Sequence, residues 1–556
     1  MALVFFISLA VVITFLGLLE LLYSGLVLKP ERLRSALRKQ GIRGPGPSLL
    51  LGNISEIRKS QSTTVKASTN EPPLFHNCAA TLFPFFEQWR KQYGPVFVFS
   101  LGNTQILYVS QADVVREITT CTSLEFGKPS YQQRELGPLL GQGILTSNGK
   151  VWAHQRKILA PELYTDKVKV TSLTPFTMFA LNKSPFIRYL LQRWSGRSNL
   201  GLQGMMSLIA ESTTVLLSSW KSRIEKEGGV AEIKIDEGMR SFSGDVISRA
   251  CFGSNYSKGA EIFSRLRALQ EAMSKKSLSI GIPGMSSNGL AIGGYRYMPT
   301  KKNREAWALE KDVRNLILEI VKERKETAHE KDLLQMVLES AENSNLGQDA
   351  MDQFIVDNCK NIYLAGYETT AVSATWCLML LAANKEWQDR VRAEVLEVCG
   401  SGCIPDADML RKMKLLNMVI HESLRLYPPV AVVSREAFKE MKFGDITVPK
   451  GLNVWTMVLT LHTDPEVWGP DAYRFNPDRF AKGITGACKL PHLYMPFGVG
   501  PRVCLGQNLA IAELKILIAL VLSQFSFSLS PNYIHSPALR LVIEPERGVE
   551  LLIKML

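Results

Sequence analysis

Cys504 is the residue of this chain best placed to do chemistry. It stands in Phe497-Gly-Val-Gly-Pro-Arg-Val-Cys-Leu-Gly506, a run rich in glycine and proline that leads directly into the apolar, helix-period stretch Leu509–Leu522. The pattern predicts a tight loop presenting a thiol just ahead of a helix. The N-terminal end of a helix carries partial positive charge and unpaired N–H donors. Such surroundings lower a thiol's pKa and favour the thiolate, the form that binds iron. Gly500 and Gly506 let the backbone turn sharply and lie close to a flat ligand. Arg502 can pair with a carboxylate, and Phe497 can shield the sulfur from water.

Three other groupings carry chemistry. Ala365-Gly-Tyr-Glu-Thr-Thr370 lies within helical periodicity running from Met351 to Ala383. Gly366 and the threonines weaken a helix locally. A 3.6-residue repeat puts Ala365, Glu368 and Thr369 on one face, where a hydroxyl beside a carboxylate can pass protons to dioxygen. In Trp152-Ala-His-Gln-Arg156, tryptophan and arginine share a helix face, and both can donate to a carboxylate. His154 between them reads as a surface residue. Glu422-Ser-Leu-Arg425 places opposite charges at i, i+3 on one helix face, in isolation an ion pair of small worth.

The Cys504 loop resembles, at every fixed position, the haem-binding signature F-x-x-G-x-R-x-C-x-G of the cytochrome P-450 superfamily. The resemblance implies a haem-thiolate monooxygenase that carries heme b, with Cys504 as its metal ligand. Phe497, Arg502, Trp152, Arg156 and Arg435 would then be cofactor-binding residues, the last four through the propionates. Glu368 and Thr369 would be the catalytic oxygen-activation pair. Glu422 and Arg425 would form a structural triad with Arg479 of Pro477-Asp-Arg-Phe480. Electrons would come from NADPH through a separate flavoprotein reductase. The chain itself has no nicotinamide site, because Gly498-Val-Gly500 and Gly141-Gln-Gly143 both lack the third glycine of a dinucleotide fingerprint. A haem-thiolate isomerase or dehydratase usually alters the acid–threonine pair, which is intact here, and a haem sensor needs neither relay nor reductase.

Tyr297-Met-Pro-Thr-Lys-Lys-Asn-Arg304, Arg43-Gly-Pro-Gly-Pro47 and Pro545-Glu-Arg-Gly-Val549 are similar to stretches in plant members of the clan that modifies terpenoids. The nearest resemblance is to enzymes oxidising gibberellins and ent-kaurenoid acids, with triterpenoids as the alternative substrate. Hydroxylation and epoxidation both stay open. Relatives line the substrate pocket with segments that correspond to Cys121–Gly149, Val430–Val433 and Gly548–Val549. Arg134 is the candidate to hold a substrate carboxylate.

The elements that must position these residues are mainly helical, giving a mainly α fold with small peripheral β-sheets. Tyr93–Val109 alternates and breaks at Gly102-Asn103, which predicts a hairpin. Further β-like stretches lie at Lys442–Val454 and Phe525–Leu552, with helices over Met205–Trp220 and Ala510–Ser523. Residues 53–77 are polar and expected in a loop. Residues 170–204 show no amphipathic period and read as an insertion or an unspliced intron. No 20–50-residue repeat occurs.

Composition sets the outer bounds. The chain has 556 residues, 46% hydrophobic, and a formal net charge of +13. That excludes wholesale disorder and points to acidic partners; without a nucleic-acid module, those are anionic membrane lipid and an acidic reductase surface. The nine cysteines have no regular spacing, which argues for reduced thiols rather than a disulfide framework. Cys399 and Cys403 have no partners for a zinc site. Residues 1–28 are uncharged except for Glu20, predominantly apolar and long enough to span a bilayer. Residues 29–47 form a basic flank and a Pro/Gly hinge, and 48–556 the catalytic domain. Basic flanks stay cytoplasmic, so the expectation is a single-pass endoplasmic reticulum protein with a cytosolic body.

Overall fold

The computed structural model describes residues 2–64, 75–163, 185–253, 256–274, 299–326, 333–342, 347–400 and 403–556. Helices dominate, and the strands gather into small sheets, as the mainly α reading requires. The largest sheet has the order Val96–Leu101, Thr104–Val109, Asn453–Met457, Val432–Ala437, Phe126–Gly127. Its first pair is the expected hairpin, in register from Val96↔Val109 to Leu101↔Thr104. Gly102 makes the turn with φ 59, a conformation that favours glycine. A three-stranded sheet joins Val230–Lys234, Glu550–Met555 and Phe525–Leu529.

Two helices organise the interior. Gln348–Ala383 is the longer, and every residue from Thr370 to Ala382 is buried. Gln507–Gln524 follows the Cys504 loop and is buried from Leu514 to Leu522 apart from Lys515. Helices apolar on all sides belong inside a protein, so the second is a core helix despite its length and hydropathy.

Residues 53–77 differ from the expected loop: Ile54–Thr64 is a helix. Its sequence is polar, but Ile54 and Ile57, one turn apart, are buried, and Glu56 accepts from the Trp89 indole at 3.0 Å. The helix expected at Met205–Trp220 runs from Pro185 to Lys226. Of the suspected insertion, residues 170–184 lie outside the described residues, and the backbone is helical from Pro185 onward.

At the N-terminus, helix Ala2–Tyr23 continues through a π-turn, Ser24–Leu28, into helix Lys29–Arg38. The 22 residues of the first segment span about 33 Å, enough for hydrocarbon about 30 Å thick. Arg34, counted above as flank, is instead buried. Its guanidinium donates to Ser100 Oγ at 2.7 Å and to the Pro45 carbonyl at 2.7 Å. The Pro/Gly segment lies along strand Val96–Leu101, where the Val98 N–H donates to the Arg43 carbonyl at 3.0 Å.

Candidate functional site

The loop before Gln507–Gln524 closes on itself. The Cys504 N–H donates to the Phe497 carbonyl at 2.8 Å, and the Val503 N–H to the Gly500 carbonyl at 3.1 Å. Gly498 and Gly500 sit at φ 71 and 74, in the left-handed region. A Cβ on Gly500 would fall 2.3 Å from the Thr119 carbonyl, so this glycine serves close packing on helix Ala112–Thr120 rather than approach to a ligand. Gly506, by contrast, faces open space, as a position under a flat ligand would. Cys504 is accessible to solvent, yet protein surrounds it closely enough to push its thiol upward, against the Gly506 backbone and Arg156. The Gly506 backbone and Arg156 favour the thiolate there, as the position ahead of a helix leads one to expect, while burial opposes it.

Beside this thiol, cations converge. Arg502 stacks on Trp152, its guanidinium carbon 4.0 Å from the ring centre, and Arg156 stands 5.9 Å from the same ring. Arg156 donates to the Val503 carbonyl at 2.9 Å, and Arg502 to Asn148 Oδ1 at 3.1 Å. Arg435 is buried and donates to its neighbour's carbonyl, Ser434, at 2.8 Å. Thr119, Cys121, Phe126, Trp152, Arg435 and Arg502 line one cleft. Burial, together with Arg435 and Arg156, pulls Arg502 down to about 9. Burial pulls Arg435 down to about 10. Lys128, unremarked in the sequence, is pushed well below the usual lysine range by burial and by Arg435 and Arg502. No carboxylate is among the groups acting on these three. Like charges crowded in a low-dielectric site require an anion, and the two propionates of a haem whose iron meets Cys504 would meet that need. The residues present therefore fit the cofactor that the signature implies.

The long helix carries the polar pair. Thr369 is half-buried, and its hydroxyl donates to the Ala365 carbonyl at 2.6 Å. Glu368 is buried and turns toward Arg240, 3.9 Å away, rather than toward Thr369. Burial raises the Glu368 carboxyl, and Arg240 opposes the shift. Arg240 also faces Asp236 at 3.5 Å and pairs with Glu544. Gly366 has a packing role: a Cβ there would meet Ile247 at 2.6 Å. The Ser243 hydroxyl reaches the Gly366 and Tyr367 carbonyls, each at 3.0 Å, and serves the part of the helix next to the pair. From the opposite side Glu513, fully enclosed, bonds to Thr370, and burial pushes its carboxyl up to about 8.

Glu422 and Arg425 have no exposed side-chain surface and meet through two bonds of 2.7 Å. Arg479 Nε lies 3.6 Å from Glu422. Arg425 also donates to the carbonyls of His462, Ala472 and Arg474 at 2.9, 2.6 and 3.1 Å. These three residues thus come together and tie helix Lys414–Leu426 to the chain leading toward Cys504. Of the other expectations, His154 and Arg134 are exposed. Val549 is buried and bonded to Ile235 and Asp236, which places it at the start of helix Ile235–Phe252. Lys128, Arg240 and Glu513 were missed, because each acts through a partner distant in sequence and none sits in a motif.

The family description "Cytochrome P450" matches residues 74–178 and 190–551. Cytochrome P450 714C2 of Oryza sativa subsp. japonica is 48% identical over 546 residues, which cover 97% of this chain and 96% of that one. Cytochrome P450 714B3 of Zea mays is 45% identical, covering 96% and 93%. Cytochrome P450 714A2 of Arabidopsis thaliana is 41% identical, covering 95% and 94%. A thiol loop beside an arginine-rich cleft, a match across both ends of the fold and near-full-length plant relatives agree: this chain belongs to the cytochrome P450 family and is a haem-dependent monooxygenase.

Proposed function

We propose that this chain inserts one atom of dioxygen into a hydrophobic plant terpenoid, with a gibberellin or ent-kaurenoic-type diterpenoid acid as substrate. The observation that carries the haem part is the convergence of Arg156, Arg435, Arg502 and Trp152 beside the Cys504 loop. Support for the substrate comes from Pro299-Thr-Lys-Lys-Asn303 and from the plant relatives. When bound, the haem supplies dioxygen activation at its iron, with the Cys504 sulfur as an electron-rich ligand. The chain does the rest. Arg502, Arg435, Trp152 and Arg156 hold the propionates, and Phe497 keeps water from the sulfur. The Thr369 hydroxyl would donate a hydrogen bond to bound dioxygen, and Glu368, whose carboxyl burial raises, would be the nearby group able to hold a proton. Electrons arrive from NADPH through a flavoprotein reductase that docks by its acidic surface on this basic protein. The apolar N-terminal helix anchors the protein in the endoplasmic reticulum membrane with the catalytic domain in the cytosol.

Two experiments test this. Cys504→Ala should abolish the Soret band of the purified protein; retention of an unchanged spectrum would overturn the haem assignment. Yeast expressing the chain with a plant reductase should convert ent-kaurenoic acid or a gibberellin. Product from a pentacyclic triterpene alone would remove the diterpenoid reading and leave the monooxygenase intact.

A further inference from the structure

Gly141-Gln142-Gly143 starts like a nucleotide-binding turn but serves another purpose. It ends helix Ser130–Leu140, and its shape is dictated by three side chains on one stretch of helix Gln348–Ala383. The Gln142 N–H donates to Asp357 Oδ2 at 2.8 Å, the Ile144 N–H to Asn358 Oδ1 at 3.2 Å and the Leu145 N–H to Asn361 Oδ1 at 2.8 Å. In return Asn361 Nδ2 donates to the Leu140 carbonyl at 2.6 Å. Lys360, buried beside Asp357 at 3.2 Å, offsets its charge and reaches the Pro138 carbonyl at 3.4 Å. The glycines are required by contact. A Cβ on Gly141 would lie 1.9 Å from Asp357 Oδ1, and one on Gly143 would lie 2.4 Å from Asn361 Nδ2.

The latched segment spans the two sides of the site. Asn361 is eight residues, about 12 Å along the helix, from Thr369. Two residues beyond Leu145, the Ser147 carbonyl accepts from Arg502 of the Cys504 loop at 3.3 Å. Between these fixed points Leu145 keeps 38% of its surface exposed. We propose that Asp357, Asn358 and Asn361 are positioning residues, whose latch holds Gly141–Leu145, with Leu145 exposed, as a rigid wall between the long helix and the Cys504 loop, and so would decide which ligands a bound haem accepts. Buried side-chain networks that bond several successive backbone groups rigidify the backbone they hold. The inference rests on the haem assignment and is independent of the substrate's identity.

Hydrogen exchange and paired haem ligands test it on the holoenzyme. In the wild type the amides of Gln142, Ile144 and Leu145 should exchange slowly. Asn361→Ala removes both of its bonds to the segment and should speed Leu145 exchange at least about tenfold. The same variant should weaken 4-phenylimidazole, whose phenyl ring would reach the wall, at least about fivefold, while imidazole, which lacks that ring, should stay within about twofold. Asn358→Ala should act likewise through Ile144. Equal changes for both ligands, or none, would overturn the proposal, because a merely structural defect moves both alike. The carbon monoxide difference spectrum reports haem loading separately, so failure of the haem assignment is distinguishable. Should either variant fail to load haem, exchange of the wild type in low denaturant decides. The three amides must then open together with the core of helix Gln348–Ala383, and opening with the exposed loops overturns the latch.

Discussion

Arg425 offers the sharpest test of the packing argument. Its guanidinium has no exposed surface, lies 5.0 Å from the Trp468 ring centre and makes five hydrogen bonds, two of them to Glu422. Arg425→Ala would leave the Glu422 carboxylate, which has no exposed surface, with only Arg479 at 3.6 Å and the Asn476 N–H. Breaking a buried pair from one side costs about 3–5 kcal/mol. The carbonyls of His462, Ala472 and Arg474 would each lose a donor, at about 1 kcal/mol apiece. The total is a large part of a typical folding free energy of about 5–15 kcal/mol. Loss of the Soret band on heating should therefore move down by on the order of 10 °C, and the haem-loaded yield should fall. The double variant Glu422→Leu with Arg425→Met removes both charges, so it should recover about 3 kcal/mol of that loss. The carbonyls stay orphaned, so recovery is partial. Two results would refute the reasoning: Arg425→Ala melting within about 2 °C of wild type, or the double variant melting no higher than the single one.

Lys128→Met should act with opposite signs on the two forms of the protein. It relieves crowding with Arg435 and Arg502 in the haem-free chain, raising that form's melting temperature, and it removes a propionate partner, so haem leaves faster for apomyoglobin. A lower melting temperature of the haem-free variant would count against the cation cluster. Glu513 supplies a pH dependence. Its carboxyl is raised to about 8, so the folded state binds a proton that the unfolded state gives up near pH 4.5. Its contribution is thus complete below about pH 4.5 and lost as pH rises through about 8. Glu513→Gln, which stays neutral, should gain on wild type by up to a few kcal/mol across that window, read from melts at pH 5, 7 and 8.5; parallel curves would refute the assignment.

How much of this was legible depended on distance along the chain. The Cys504 loop was readable because its glycines, arginine and thiol act within ten residues, and because a helix starts immediately after them. The Glu422–Arg425 pair was visible as spacing, but spacing says nothing of burial, and burial turns a weak surface pair into a central tie. Glu368 and Thr369 were found together and expected to act side by side; the fold turns Glu368 toward Arg240, a residue with no motif of its own. Helix Ile54–Thr64 was missed because two isoleucines among polar residues give little periodic signal, and the Trp89–Glu56 bond that holds it is non-local. Gly141 and Gly143 drew notice only as an incomplete dinucleotide fingerprint; what requires them was illegible, because the crowding side chains, Asp357 and Asn361, lie more than two hundred residues away.

The unbroken passage from Ala2 to Arg38 has a practical corollary. Because the backbone stays helical through the π-turn and Arg34 is bolted to the first sheet, the apolar N-terminal segment is a stiff handle rather than a tether. Rotating that handle would rotate the enzyme. Adding or deleting one residue between Tyr23 and Lys29 would turn the apolar helix by about 100° relative to the body. Shortened versions made for solubility should be cut ahead of Lys29; a cut beyond Arg34 would leave Ser100 and Gln105 facing a hole where a guanidinium belongs.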